Sequence, residues 1–320
     1  MNVYFSKPWI GMFSYFIALL IFFTCFALFV WQSRRKNKYS PFTEDSLRPP
    51  GHTLRLRRTA ISESIDTHYF FFLLVASGLI ASRLLLTGLQ LHIASTLLLT
   101  TLAIVLVRTW QLFGRAQRIN LGLEGEEYTG QELNLLMLSG AYVFHDIPYQ
   151  GGGNIDHIVI AKDKVFVVET KARRKPQSST GGRNSTVIYD GKYLKFPDIT
   201  TDEPLAQAKR HADFLSAAIK KHCQLDFPVK AVVSLPGWFI ENEGKTNSTL
   251  VINPKRGKAL KPWLGEVSNQ AARDRVANYI ASVARSVTYK STTTDPDATK
   301  NYDVWLNPVS YTHLTLPTKA

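Results

Sequence analysis

The chain has 320 residues, 45% of them apolar, and carries 38 Lys and Arg against 25 Asp and Glu, a formal charge of +13. The apolar share excludes a disordered polymer and supports a buried core of one or two domains. Two cysteines, Cys25 and Cys223, exclude a disulfide framework and a Cys-based metal site. The excess positive charge points to a polyanionic partner, either nucleic acid or the anionic face of a membrane.

Residues 9–31 form an uninterrupted run of 23 residues without charge. As a helix this run is about 35 Å long, enough to cross a bilayer. A cleaved signal peptide is the alternative, but the run is too long for an h-region and has no small-x-small cleavage site. Arg34, Arg35, Lys36 and Lys38 follow it and place its C-terminal side in the cytoplasm. A second apolar stretch, residues 69–107, is interrupted near Arg83 and at TGLQLH (87–92), which predicts a helical hairpin with Arg83 snorkelling to the headgroups. Arg108, Arg115 and Arg118 return the chain to the cytoplasm. The expectation is three transmembrane helices in a multi-pass protein of the bacterial inner membrane. Residues 32–68 between the spans read as a basic cytoplasmic loop, with Arg48, Arg55, Arg57 and Arg58 resting on anionic lipid.

From residue 118 the composition becomes that of a globular α/β domain, expected to run to residue 287. Residues 123–138 predict a helix stopped by Gly140, and Tyr142 to Ile147 a short strand. After the turn at Gly151, Gly152 and Gly153 come two apolar runs, NIDHIVIA (154–161) and KVFVVETK (164–171), separated by Lys162 and Asp163. If those two residues close a tight hairpin, Ala161 pairs with Lys164 and Asp156 falls opposite Glu169. Lys171 then shares their face, because alternate strand residues point the same way. A three-residue loop would slip the register and turn one strand over. Two carboxylates at roughly 5 Å repel one another unless a cation sits between them. Mg²⁺ or Mn²⁺ suits such oxygen ligands, and an adjacent ammonium can stabilise charge developing on a phosphate. The pattern therefore points to metal-assisted phosphodiester hydrolysis.

The segments GLEGE (122–126), GGGNIDHIVI (151–160), VFVVETK (165–171) and PLAQAKRHADFL (204–215) resemble the nuclease-related domain (NERD) family, within the PD-(D/E)XK nuclease superfamily. The resemblance covers roughly residues 118–260 and implies a mixed sheet flanked by helices. It assigns Asp156, Glu169 and Glu126 to a metal ion, Lys171 to catalysis, and Gln207 to the neighbourhood of the active centre. The Pro-Asp element that names the superfamily is replaced here by Ile155-Asp156.

Residues 203–222 predict a helix with Leu205, Ala208, Ala212, Leu215 and Ile219 as its apolar face. His211 reads as a solvated helical histidine and His157 as a packing residue on the face opposite Asp156. Arg173, Arg174, Lys175 and Arg183 lie in the loop leaving the catalytic strand, either as solvated surface or as contacts to a nucleic-acid backbone. Further strands are expected at 229–235 and 250–253, and a last amphipathic helix at 266–287. Residues 288–320 read as a disordered tail, and its end, SYTHLTLPTKA, as a sequencing scar. The leading expectation is a membrane-anchored nuclease acting on DNA or RNA. Two alternatives stand beside it: a catalytically silent nucleic-acid-binding or interaction module, and a structural membrane protein whose carboxylates pair with Lys171 and nearby arginines.

Overall fold

The computed structural model describes residues 22–26, 28, 45–149, 153–176, 185–243, 249–255 and 260–287. Most of the first expected span, Arg183, Gly151, Gly152 and the tail from 288 lie outside these residues. The chain divides into two units, one containing Glu63–Leu112 and the other Asp45–Ser62 with Phe113–Thr288.

Helices α1 (His52–Leu85) and α2 (Gly88–Asn134) form the expected hairpin. The turn needs Gly88, whose φ of +57° lies in the left-handed region that costs glycine nothing. Within the first unit the apolar side chains face outward: Leu73, Ile80, Leu84, Leu97 and Ile104 are all exposed. Among the described residues, two helices, His52–Leu85 and Gly88–Ser139, are long and apolar enough to cross a membrane, and hardly any of their most apolar stretches is buried. Phe70 stacks on Phe22 and Phe26, which lie in the described part of the first expected span.

Two expectations change here. The segment read as a loop through residue 68 is helical from His52 onward, because nothing after Gly51 breaks the helix before Leu85. The helix expected to begin at residue 123 is instead the end of α2, which at 47 residues is about 70 Å long. A 3-10 turn, Leu135–Ser139, follows, and Gly140 closes it with φ +85° and its N–H bonded to the carbonyls of Leu136 and Met137.

The second unit is built on a five-stranded sheet in the order β10-β8-β4-β3-β2. Its strands are β2 (Tyr142–Pro148), β3 (Asn154–Ala161), β4 (Lys164–Thr170), β8 (Val229–Ser234) and β10 (Leu250–Ile252). β2, β3 and β4 are antiparallel neighbours, whereas β8 runs parallel to β4 and β10 parallel to β8. The parallel step from β4 to β8 requires a crossover, which α3 (Glu203–Cys223) supplies. β4 is buried along nearly its whole length, as a continuous Val/Phe run requires of a strand covered on both faces. Val165 and Val167 enter the core beneath α3, while Phe166 and Val168 enter a second core with Leu133 and Leu136. A smaller sheet is formed by β5 (Thr186–Tyr189), β6 (Leu194–Lys195), β7 (Thr200–Thr201) and β9 (Phe239–Asn242), in the order β7-β6-β5-β9.

The last helix, α4, is shorter than expected and covers Gln270–Ala284. Asn269 caps it, its side chain accepting from the Ala272 N–H at 2.9 Å. The chain then leaves the helix as β11 (Arg285–Val287), which pairs antiparallel with β1 (Ser46–Leu47). The segment before α1 is therefore part of the same unit as the sheet.

Candidate functional site

The β3–β4 hairpin has the two-residue loop that the sequence suggested. Ala161 pairs with Lys164 and the ladder runs outward to His157 opposite Val168, so the next pair outward is Asp156 and Glu169. Their neighbours Ile158, Ile160, Val165 and Val167 all belong to the core under α3, and the period-2 alternation puts both carboxylates on that face. Lys171 continues the strand direction, its N–H bonded to the Ser234 carbonyl at 2.9 Å.

Two side chains, Lys171 and His211, close on Glu169, and Gln207 meets Lys171. Lys171 Nζ lies 3.0 Å from Glu169 Oε1 and also donates to Gln207 Oε1 at 2.9 Å. His211 Nδ1 lies 3.2 Å from Glu169 Oε2. That contact is close enough for an ion pair yet is off the hydrogen-bond line, so both atoms remain without a hydrogen-bond partner among the described residues. Asp156 Oδ2 accepts the Thr170 N–H at 2.7 Å. Glu126, from the last third of α2, is buried, and its Oε2 has no hydrogen-bond partner among the described residues.

The electrostatics are those of carboxylates without enough positive charge. Burial first, and then the charges of Asp146 and Glu169, push the Glu126 carboxyl up to about 8. Burial, Glu169 and Glu126 raise Asp156 well above the ordinary carboxylate range. Burial pulls the Lys171 ammonium down, but Glu169, Glu203 and Asp156 together more than offset this and leave it above its ordinary value. The Glu126 and Glu169 oxygens left without a hydrogen-bond partner among the described residues are of the type hard divalent cations take. Among the described residues no group of three His, Cys, Asp or Glu side chains is arranged to hold a metal ion.

Of the residues singled out in the sequence, Asp156, Glu169, Lys171 and Gln207 come together, with Glu126 electrostatically coupled to them. Arg173 is held by Asp198 at 2.6 Å and lies over the Phe196 ring; Lys175 lies over Trp238. His157 packs away from the site as expected, its Nδ1 2.9 Å from His145 Nδ1 in a fully buried pair.

His211 is the residue the sequence misplaced: it is buried, not solvated, and its ring lies tilted against that of Tyr149, with centroids 4.7 Å apart. One helical turn separates it from Gln207, so the assignment of Gln207 to the cleft already implied the same face for His211. Asp146 was not singled out. It is fully buried and accepts from Arg48, Thr53 and Asn154. Arg48 and Arg55, expected on lipid, instead pair with Asp146 and Glu127, and the charge of Arg57 acts on Glu126.

No curated protein and no solved structure matches the chain. Residues 121–236, the stretch that contains Glu126, Asp156, Glu169, Lys171 and Gln207, match the family model described as the nuclease-related domain, NERD.

Proposed function

We propose that the protein is a membrane-anchored, divalent-cation-dependent nuclease that hydrolyses phosphodiester bonds of DNA or RNA, with its catalytic unit in the cytoplasm. The observation that carries this is the cluster of buried carboxylates, Glu126, Asp156 and Glu169, which repel one another and have one ammonium, Lys171, among them. A structural ion pair needs one carboxylate for one lysine. The surplus is what a cation site looks like before the cation is added.

Asp156 and Glu169 would hold Mg²⁺ or Mn²⁺, with Glu126 as the third carboxylate. Mg²⁺ commonly takes one or two protein carboxylates and fills its shell with water and substrate phosphate, so an incomplete protein set fits that ion better than a closed cage. Such an ion, when bound, supplies Lewis acidity and a more acidic water. Lys171 is placed to donate to a phosphate oxygen as negative charge builds on it. Gln207 fixes the direction of the Lys171 ammonium by accepting one of its protons. His211, wedged between Tyr149 and Glu169, holds the Glu169 carboxylate from the α3 side. Anchoring rests on the two helices and on the arginines that flank their apolar stretches.

The test is cleavage of plasmid and of single-stranded substrates by the full chain in neutral detergent, with Mg²⁺ and with chelator. Cleavage that requires Mg²⁺ and disappears in Glu169→Ala and Lys171→Ala supports the proposal; equal background in all three rejects it. One observation favours a second reading, a silent binding module: Lys171 already neutralises Glu169 at 3.0 Å without any metal. Nucleic-acid binding with steep salt dependence and no cleavage would select it.

A further inference from the structure

A groove of about 620 Å³ opens beside the strand end that carries Lys171. One wall is α2, through Gly114, Gln117, Arg118 and Leu121; the other is Ala172 to Arg174. Its size is that of a small-ligand site. Gly114, Arg118, Leu121 and Gly125 follow one another at helical spacings of four, three and four residues, so they lie along one face of α2. At the Gly125 end that face is pressed onto Ala172, where an added Cβ would stand 2.5 Å from the alanine Cβ. At the Gly114 end the same Cβ would meet nothing within 4 Å. Glycine inside a helix costs roughly 1 kcal/mol relative to alanine, and here no packing in the described residues requires it. Its effect is to leave the groove wall open.

The groove is cationic. Arg118 and Arg174 have no acidic partner among the described residues, while Arg173 is held in place by Asp198. Guanidinium groups bind phosphate oxygens through paired N–H bonds, and two facing ones can hold a single phosphodiester from both sides.

We propose that Arg118 and Arg174, which line the two walls of this groove with Gln117 beside Arg118, bind the phosphate backbone of a nucleic-acid strand next to the bond cleaved at Lys171. This rests on the nuclease reading for its substrate, but the groove stands on its own lining. It also reassigns Arg118, which by sequence alone marks only the return of the chain from the membrane. A nucleic-acid strand is favoured over a lipid headgroup because the second wall is the continuation of the Lys171 strand, so a bound backbone would lead directly to the carboxylate cluster.

Oligonucleotide binding by the full chain in neutral phosphatidylcholine nanodiscs, in chelator so that nothing is cut, tests this. The variants are Arg118→Ala, Arg174→Ala and Gly114→Leu, with Arg115→Ala as a control that removes the same charge from α2 outside the groove. The two groove arginine variants are expected to weaken binding about fivefold to tenfold at low salt and to lower the slope of log K against log salt by about 0.7 to 0.9 each. Gly114→Leu is expected to weaken binding by filling the groove with charge unchanged. Arg115→Ala is expected to leave binding near that of the wild type. The proposal is overturned if the wild type does not bind, if Arg115→Ala loses as much as Arg118→Ala, or if the Arg118 and Gly114 variants bind normally. It is equally overturned if they lose only binding to phosphatidylserine vesicles. A wild type that binds through the groove but cuts nothing with Mg²⁺ removes the hydrolytic function and leaves the groove standing.

Discussion

The Lys171 ammonium bridges β4 and helix α3, lying 3.0 Å from Glu169 Oε1 and donating to Gln207 Oε1 at 2.9 Å. One face of this ammonium is tied down, which fixes where its remaining protons point. Gln207→Ala should therefore lower cleavage roughly tenfold with little change in stability, since Lys171 keeps Glu169 and remains partly solvated. Lys171→Met should lower it 100-fold or more. The same substitution leaves a nearly fully buried Glu169 without its cation, so a loss of roughly 1 to 3 kcal/mol should accompany it. Cleavage rates and thermal melts on the two variants separate positioning from charge. Equal effects of both on rate would mean that Gln207 does more than orient.

A second prediction concerns pH. The Glu126 carboxyl is pushed up to about 8, against an unfolded value of 4.5. Between those values the folded chain holds a proton that the unfolded chain has lost. Stability must then fall as pH rises through this window. Burial lowers the His145 and His157 imidazoles, which makes the opposite slope below about 6.5 as they resist protonation in the fold. The clean interval is pH 6.5 to 8. Without metal, the melting temperature should decline across it, and Glu126→Gln should flatten the decline. Saturating Mg²⁺ should flatten it too and raise the melting temperature, because an ion bound only to the folded state stabilises it by mass action. A flat wild-type profile with chelator would rule out the charge frustration on which the metal proposal depends.

The hairpin was readable from its two β-branched runs, but loop length left two registers open, and the observed pairing of Ala161 with Lys164 is the one that puts Asp156 and Glu169 on one face. The place of α3 was equally plain from Leu205, Ala208, Ala212, Leu215 and Ile219, all buried. What could not be read was pairing over long sequence separations. Arg48 and Arg55 sit in a basic stretch whose local pattern says only solvent or lipid, yet their partners, Asp146 and Glu127, lie 98 and 72 residues away. The break at residue 118 was likewise a change of composition without a change of backbone: α2 passes through it because no proline lies there and the nearby Gly114, Gly122 and Gly125 weaken a helix without stopping one that has begun.

The Arg48–Asp146 pair has a direct consequence for any soluble fragment. Asp146 is fully buried with φ +52°, and its carboxylate accepts from Arg48 Nη1, the Thr53 N–H, Thr53 Oγ1 and Asn154 Nδ2. Three of these four donors come from the segment before and at the start of α1. A fragment beginning near residue 116 would leave a buried charge with one donor. It should be destabilised by several kcal/mol relative to one that includes Asp45–Ser62, and β11 would lose its partner strand as well. In the full chain, Arg48→Ala should cost roughly 2 to 4 kcal/mol and Thr53→Val somewhat less. Denaturant unfolding of these variants gives the comparison. A fragment from 116 that melts like the full unit would show that Asp146 is satisfied otherwise.

α2 meets the end of β4 at Gly125, where a Cβ would stand 2.5 Å from the Ala172 Cβ and 3.6 Å from Thr170 Cγ2. Gly125 adjoins Glu126 and Ala172 adjoins Lys171, so the contact that packs these elements also sets the distance between two charged groups of the site. Gly125→Ala should help the helix by up to about 1 kcal/mol and yet lose more than that to the overlap, for a net cost of roughly 1 to 2 kcal/mol. Because the clash is with a side chain, Ala172→Gly should make room for it. The double variant should recover most of the stability and cleavage lost in Gly125→Ala, giving a coupling energy well above the few tenths of a kcal/mol seen for independent sites. Additive losses in the double variant would mean that α2 and the strand end do not touch there, and that Glu126 is held in place by some other contact.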